Sequence, residues 1–319
     1  MLIGIAITRA GSVDSTWTTL HLAQAALNRG HHVRFVEPWD FEIRASEGLV
    51  ARSHAFDFPV GVDALADGLR ARTAVRRYIT IANLDLLLLR SAPLDTSLLT
   101  FAMFAKKLGV PVVNDPEGLM RVSHKGWLAA IAEDCTPPAV VTRSRGVASL
   151  FYEREVCGVV VKPARGSGGR GVSLVPPEHP AEFEAAFDSA TSRGDGYVVI
   201  QAYVAAAMAG EKRLVWLDGE VLGGYLRRRA PGEFRHNLKR GGLAEPTRVT
   251  ALDKVLVGKI SPALLSEGIR IAGLDIIGDY VIEVNALNPG GAYHTDRLSG
   301  TSLSETIICR LETTESSLR

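Results

Sequence analysis

Residues 273–285 read Gly-Leu-Asp-Ile-Ile-Gly-Asp-Tyr-Val-Ile-Glu-Val-Asn, and they place three oxygen donors, Asp275, Glu283 and Asn285, among apolar neighbours. On a strand, residues two apart share a face, so Glu283 and Asn285 point one way while Ile282 and Val284 point the other. A two-residue turn at Gly278-Asp279 would set Asp275 opposite Ile282, whereas a three-residue loop from Gly278 to Tyr280 pairs it with Glu283. The three-residue loop is the expectation. Two carboxylates and an amide oxygen on one face form a hard-oxygen site that suits Mg²⁺ shared with nucleotide phosphates. Left on an exposed face without a bridging cation, the carboxylates would repel.

A second constellation is Lys162 followed by Gly166-Ser167-Gly168-Gly169-Arg170-Gly171. A lysine ending an apolar strand can set its ammonium near phosphate, while glycine N–H groups approach the oxygens with no Cβ in the way. A mobile lid and a plain hairpin loop both account for the glycines. The spacing is neither G-x-x-x-x-G-K-[ST] nor a G-x-G-x-x-G opening a helix, which excludes those two phosphate-binding units. A third cluster is basic: Arg213, then Arg227, Arg228, Arg229, Arg235, His236, Asn237, Lys239 and Arg240. Strand alternation puts Arg227 and Arg229 on one face. Arg213, Arg229 and Arg235 are the expected phosphate or acyl-phosphate ligands, since cations focused beside an acidic site are what phosphoryl transfer requires.

The elements that carry these groups fall into three stretches. Residues 2–7, a helix over 15–29 closed by Gly30, and 33–36 read as a β-α-β unit. Residues 84–89 and 110–114 read as further buried strands flanking a helix over 96–108, so the first ~115 residues predict a small parallel sheet with helices on its faces. Residues 41–80 lack clear periodicity and read as irregular connection plus one helix. Beyond Pro116 come a helix over 125–133, strands at 140–142, 157–162 and 171–175, and a helix over 181–190. From Tyr197 the pattern is mainly antiparallel: 197–204, then 212–217 and 221–229 joined by Asp218-Gly219, which suits a type I′ turn. Thr250 with Asp253 signals the cap of a helix to about 268, and strands follow at 269–277 and 280–285. Residues 312–319 are polar and expected to fray.

Composition narrows the function classes. The chain has 319 residues, 46% of them apolar, enough for two or three cored units. Thirty-six basic residues against 35 acidic give a net charge of +1, so no long-range field favours nucleic acid or an anionic membrane. Neither partner is expected. Three cysteines, Cys135, Cys157 and Cys309, lack metal-site spacing and suit a reducing cytoplasm, with Cys157 and Cys309 expected as small buried side chains. No window approaches the ~20 apolar residues that span a bilayer, and no cleavable leader pattern opens the sequence.

Gly-Glu-Lys-Arg (210–213), Arg-His-Asn-Leu-Lys-Arg-Gly-Gly (235–242) and Gly-Leu-Asp-Ile-Ile-Gly-Asp (273–279) together resemble prokaryotic glutathione synthetase, an ATP-grasp enzyme. The resemblance runs from about residue 84 to 285 and is weaker before, although Val13-Asp14-Ser15-Thr16-Trp17 looks like the family's first substrate-side loop. It implies an α/β ATP-grasp fold with α+β lobes: a substrate-side domain at 1–118, a glycine-loop lobe at 119–196 and an antiparallel lobe at 197–319. It implies that Lys125 and Lys162 bind phosphates with Gly166, Ser167, Gly168 and Gly169, and that the segment with Gln201, Tyr203 and Val204 forms the adenine hinge. Glu211 would hold the ribose, Asp275, Glu283 and Asn285 two Mg²⁺ (or Mn²⁺) ions, and Arg213, Arg229, Arg235 and Asn237 the transferred phosphate. The implied activity is an ADP-producing ligase that joins a small-molecule carboxylate to an amine, in a cytoplasmic dimer or tetramer. A non-catalytic ATP-binding regulator and an ATP-grasp phosphotransferase are the alternatives. Two segments depart from the family: Arg90-Ser91-Ala92-Pro93-Leu94 stands where Arg-Lys-Asp-Pro-Pro is usual, and Ala-Leu-Asn-Pro-Gly-Gly-Ala-Tyr-His follows Asn285 in place of a Ser-Pro-Thr-type segment.

Overall fold

The computed structural model describes residues 1–166 and 168–317. Leu2–Ile7 is an almost wholly buried apolar run, His32–Val36 buries Val33, Phe35 and Val36, and the two pair in parallel once the helix Thr18–Asn28 has carried the chain back. Gly30, at φ 79°, supplies the left-handed residue that ends this crossover. Leu86–Arg90 pairs in parallel with the other edge of Leu2–Ile7, and Val112–Val113 lies beyond it. The sheet is larger and less uniform than expected. Residues 41–80 are no irregular connection: Phe41–Arg44, Gly48–Phe56 and Val75–Thr80 are antiparallel strands, with the expected helix at Val62–Arg70. Their pattern was hidden because Gly48–Phe56 buries polar residues. Ser53 and His54 are fully buried; Ser53 donates to the Arg77 carbonyl at 2.9 Å, and His54 meets the Arg76 guanidinium and lies 3.8 Å from Glu37.

The chain divides into two units, 1–120 with 266–272 and 286–319, and 121–265 with 273–285. In the first, residues past Asn285 form two helices, Ala292–Ser299 and Leu303–Ser317. The fraying expected from 312 is therefore corrected through 317: Glu312 sits in a helix and pairs with Arg29 at 2.5 Å, while 318 and 319 lie outside the described residues. Buried Leu303, Ile307, Ile308 and Leu311 hold that helix, and its exposed Cys309 corrects the expectation of a buried thiol. Cys157 is likewise exposed, in a turn beside Val156, and Cys135 is the buried one.

The second unit holds two antiparallel sheets. The four-stranded one runs Ser173–Val175, Val159–Pro163, Val198–Ala202, Ala139–Thr142, so Val198–Ala202 is paired on both sides. Val159, Val161, Val198 and Ile200 pack against Tyr152, Phe183 and Phe187 of two helices, Arg145–Tyr152 and Pro180–Thr191; the first of these was absent from the sequence reading. The five-stranded sheet runs Leu243–Pro246, Glu220–Arg228, Glu211–Leu217, Ile271–Ile277, Tyr280–Asn285. Asp218 and Gly219 turn its first hairpin with positive φ at both positions, 47° and 96°. The helix Ala251–Ser266 is capped reciprocally by Thr250 and Asp253, as the sequence predicts.

Candidate active site

Asp275 does face Glu283, but by a different device from the one expected. The turn is the two-residue Gly278-Asp279, with Ile277 opposite Tyr280, and a bulge leaves Ile282 unpaired so that Asp275 meets Glu283. The three-residue loop is thus replaced by a tight turn plus one extra residue. A matching bulge in the neighbouring hairpin leaves Leu222 unpaired and sets Glu211 opposite Arg227.

These registers bring opposite charges onto one sheet face. Arg213 grips Asp275 with both ends of its fork, Nε to Oδ1 at 2.5 Å and Nη2 to Oδ2 at 2.8 Å, and Arg227 reaches the same carboxylate at 2.5 Å. Gly273 makes room: a Cβ there would come within 3.1 Å of the Arg213 Cδ. Burial pushes the Asp275 carboxyl upward, but the two guanidiniums outweigh it and hold the acid well below its ordinary range. Arg227 also pairs with Glu211, which burial and the nearby Asp275 charge push upward; the His236 Nδ1 lies 3.7 Å from Glu211. Asn285 donates to Asp275 at 3.1 Å. Glu283 is partly open and pairs with Lys125 at 3.2 Å.

Lys125 also donates to the Gly166 carbonyl at 2.7 Å, which ties it to the start of the glycine loop. Lys162 is buried on the four-stranded sheet and donates to the Gln201 side-chain oxygen at 2.9 Å, with burial pulling its ammonium down to about 8. Gln201 thus meets the site through its side chain. The Tyr203 N–H is bonded to the Gly158 carbonyl at 3.0 Å, and the Val204 carbonyl accepts from Ala207 at 2.9 Å. Gly166, Gly168 and Gly169 all have positive φ, and Ser167 lies outside the described residues. Arg235 donates to the carbonyls of Gly169 at 3.0 Å and Val172 at 3.3 Å, while Glu233 holds its other edge. A Cβ on Gly169 would come within 2.7 Å of the Asn237 side-chain oxygen, so Asn237 is packed on the loop.

Arg229 is not brought to this cluster. The strand ends at Arg228, alternation ends with it, and the Arg229 guanidinium contacts Met208. Arg227 takes the place expected for it, and no local signal marks it, because it faces Glu211 only through the bulge in the hairpin. Among the described residues, no three His, Cys, Asp or Glu side chains group to hold a metal. The donor types nevertheless fit a hard cation: Glu283 is solvent-facing and held by a single lysine, and Asn285 offers an amide oxygen beside it.

Residues 127–300 match the family described as "Prokaryotic glutathione synthetase, ATP-grasp domain", and residues 3–120 match "Prokaryotic glutathione synthetase, N-terminal domain". The chain belongs to the prokaryotic glutathione synthetase family. Glutathione synthetase of Escherichia coli O127:H6 is 33% identical over 283 residues, 86% of this chain and 85% of that one. The Synechococcus elongatus enzyme is 29% identical over 98% of both chains. Among solved structures, D-cycloserine synthetase DcsG shares the fold with a TM-score of 0.70 at 15% identity, covering 98% of this chain and 99% of that chain. The VanG D-Ala:D-Ser ligase from Enterococcus faecalis does so with 0.65 at 14%, covering 97% and 98%. This member of the glutathione synthetase family is therefore an ATP-grasp ligase, of a family that uses ATP with a divalent metal. No helix among its described residues is long and apolar enough to cross a membrane.

Proposed function

We propose that this ligase joins a carboxylate to an amine through an acyl-phosphate, with γ-glutamylcysteine and glycine, or a related peptide and amino-acid pair, as substrates. The observation that carries the reading is the convergence of Arg213, Arg227, Lys125 and Lys162 on the sheet faces that hold Asp275 and Glu283. Four cations around three carboxylates, Asp275, Glu283 and Glu211, suit transfer of a highly charged group better than binding of a neutral one. Lys162 and Lys125 would hold the phosphates of ATP, and the N–H groups of the glycine loop would follow the terminal phosphoryl group. Glu283 and Asn285, with Asp275 shared between metal and guanidinium, would hold the divalent ion, which when bound neutralises phosphate charge.

The carboxylate oxygen takes the γ-phosphoryl group and ADP departs. The amine then attacks the acyl carbon, the C–O bond to phosphate breaks, and inorganic phosphate leaves as the nitrogen gives up a proton. Arg213 and Arg227 would stabilise the charge that develops on the acyl oxygen. The test is phosphate release from Mg·ATP with pooled amino acids and small peptides, read together with products by mass spectrometry. Release that needs both a carboxylate and an amine, with a new amide, is expected. Release with a hydroxyl compound alone, or none with any pair, would sink the proposal.

A further inference from the structure

Arg90 ends the strand Leu86–Arg90 in register with Ile7, at the carboxyl ends of two adjacent parallel strands. From Leu2–Ile7 the chain goes first to His32–Val36 on one side and later to Leu86–Arg90 on the other, so these two strands flank the point where the winding of the sheet reverses. Crevices at such points, outside the carboxyl ends of the strands, are where open α/β sheets take ligands.

The side chain there is unusual in its partners. Arg90 is 3% exposed; Nε donates to the Thr19 hydroxyl at 3.2 Å and Nη2 to the Pro289 carbonyl at 2.8 Å. Both acceptors are neutral. Among the described residues, Nη1 has no hydrogen-bond partner and the guanidinium makes no ion pair. Burial alone acts on it, pulling it down to about 9. Its neighbours add neutral polar groups: Thr19 donates to the Asn288 side chain at 3.2 Å, and the hydroxyls of Thr8 and Ser91 lie 3.1 Å apart. Arg90 is the arginine that this chain shares with the usual Arg-Lys-Asp-Pro-Pro, and the departure that begins at Ser91 is joined to the one at Asn288-Pro289 by its bond to the Pro289 carbonyl. A buried cation with an open donor and no counter-ion carries a desolvation cost that an incoming anion would offset.

We propose that Arg90 anchors a non-reacting carboxylate of the amino-acid or peptide substrate through its Nη1 edge. One planar fork held by a neutral hydroxyl and a carbonyl matches a carboxylate, whereas a phosphate dianion calls for further cations. The proposal rests on the ligase reading only for the ligand's being a substrate.

The test is calorimetric titration without ATP, using the common amino acids and γ-glutamylcysteine as free acids and as carboxamides, the dipeptide amidated at each carboxyl in turn. At least one free acid should bind at least about tenfold more tightly than one of its amides, and Arg90→Gln should erase that preference while leaving amide binding unchanged. If Arg90→Gln does not fold, Arg90→Lys keeps the charge but loses the fork, and should weaken the acid alone. Equal binding of acid and amide by the native protein, a preference that survives in the variant, or parallel losses of both would overturn the proposal. Tight binding of inorganic phosphate abolished by the same variant would also overturn it, in favour of a phosphate site. Because binding is read without turnover, a protein that binds acids through Arg90 yet makes no amide would contradict the ligase reading and not this one.

Discussion

Lys162 has an ordinary lysine pKa near 10.5 when unfolded and one pulled down to about 8 in the folded chain. The lowered value means folding disfavours its charge: stability is reduced below about 8 and recovers as pH rises from there toward 10.5. Activity should move oppositely, since the ammonium is the form that attracts phosphate. The kcat/KM for ATP is expected to fall about tenfold per pH unit above the Lys162 transition, and Lys162→Arg should remove that limb. A limb that persists unchanged in Lys162→Arg would show that Lys162 is not its source. Asp275 and Glu283 should separate in a different way. Asp275→Asn strips the carboxylate from Arg213 and leaves Arg227 with Glu211 alone, so it should cost about 3 kcal/mol of stability as well as activity. Glu283→Gln touches one partly exposed pair and should leave stability within about 1 kcal/mol while lowering kcat roughly 100-fold. Chemical denaturation beside steady-state rates reads both. The carboxylates, Lys162 and Arg213 were legible in the sequence because strand alternation and an apolar setting isolate them. Arg227 was not, since choosing it over Arg229 requires knowing that the strand stops at Arg228.

Register explains that gap at the level of the hairpin. The Asp218-Gly219 turn by itself would pair Glu211 with Leu226, and Gly278-Asp279 would pair Asp275 with Ile282; one bulged residue in each hairpin moves both acids by one position. Turn chemistry is written in two residues, whereas a bulge depends on what the neighbouring strands must align, which no local pattern announces. The glycine loop offers a test at the same scale. Gly169 has positive φ and a Cβ there would press on Asn237, while Gly168 shares the positive φ but opens onto nothing within 4 Å. Gly168→Ala should therefore cost only local strain, about 1 kcal/mol. Gly169→Ala should in addition unseat Arg235 from the loop carbonyls and lower amide formation more than ATP binding, with extra uncoupled phosphate release. Equal effects of the two substitutions would show that the packing on Asn237 is immaterial.

For the molecule as a whole, the surprise lay in where late residues go. Asn114 uses its entire amide, donating to the carbonyls of Ile271 at 2.7 Å and Ala286 at 2.9 Å and accepting from the N–H groups of Arg270 and Ile271 at 2.8 Å. A single buried side chain thus fixes both returns of the chain to the first unit, which no spacing in the sequence could reveal. Leu303, Ile307, Ile308 and Leu311 then bury a helix in a stretch whose polar end suggested fraying. Removing residues 303–319 should take these four buried side chains out of the core and uncover the apolar surface they pack on, at a loss of roughly 1.5–3 kcal/mol each, and abolish cooperative thermal unfolding of the first unit. A truncated chain with an unchanged transition would contradict that packing. Parallel strands around Leu2–Ile7 and the antiparallel sheets were readable from apolar periodicity; the three extra strands over 41–80 were not, because Ser53 and His54 are polar residues buried against the Arg77 carbonyl and the Arg76 guanidinium of a neighbouring strand. Ligation through an acyl-phosphate can be followed atom by atom when the carboxylate substrate carries ¹⁸O in both oxygens of its reacting carboxyl. Each turnover should move one labelled oxygen into inorganic phosphate and leave one in the amide; unlabelled phosphate, with both labelled oxygens retained on the carboxylate, would rule the acyl-phosphate out.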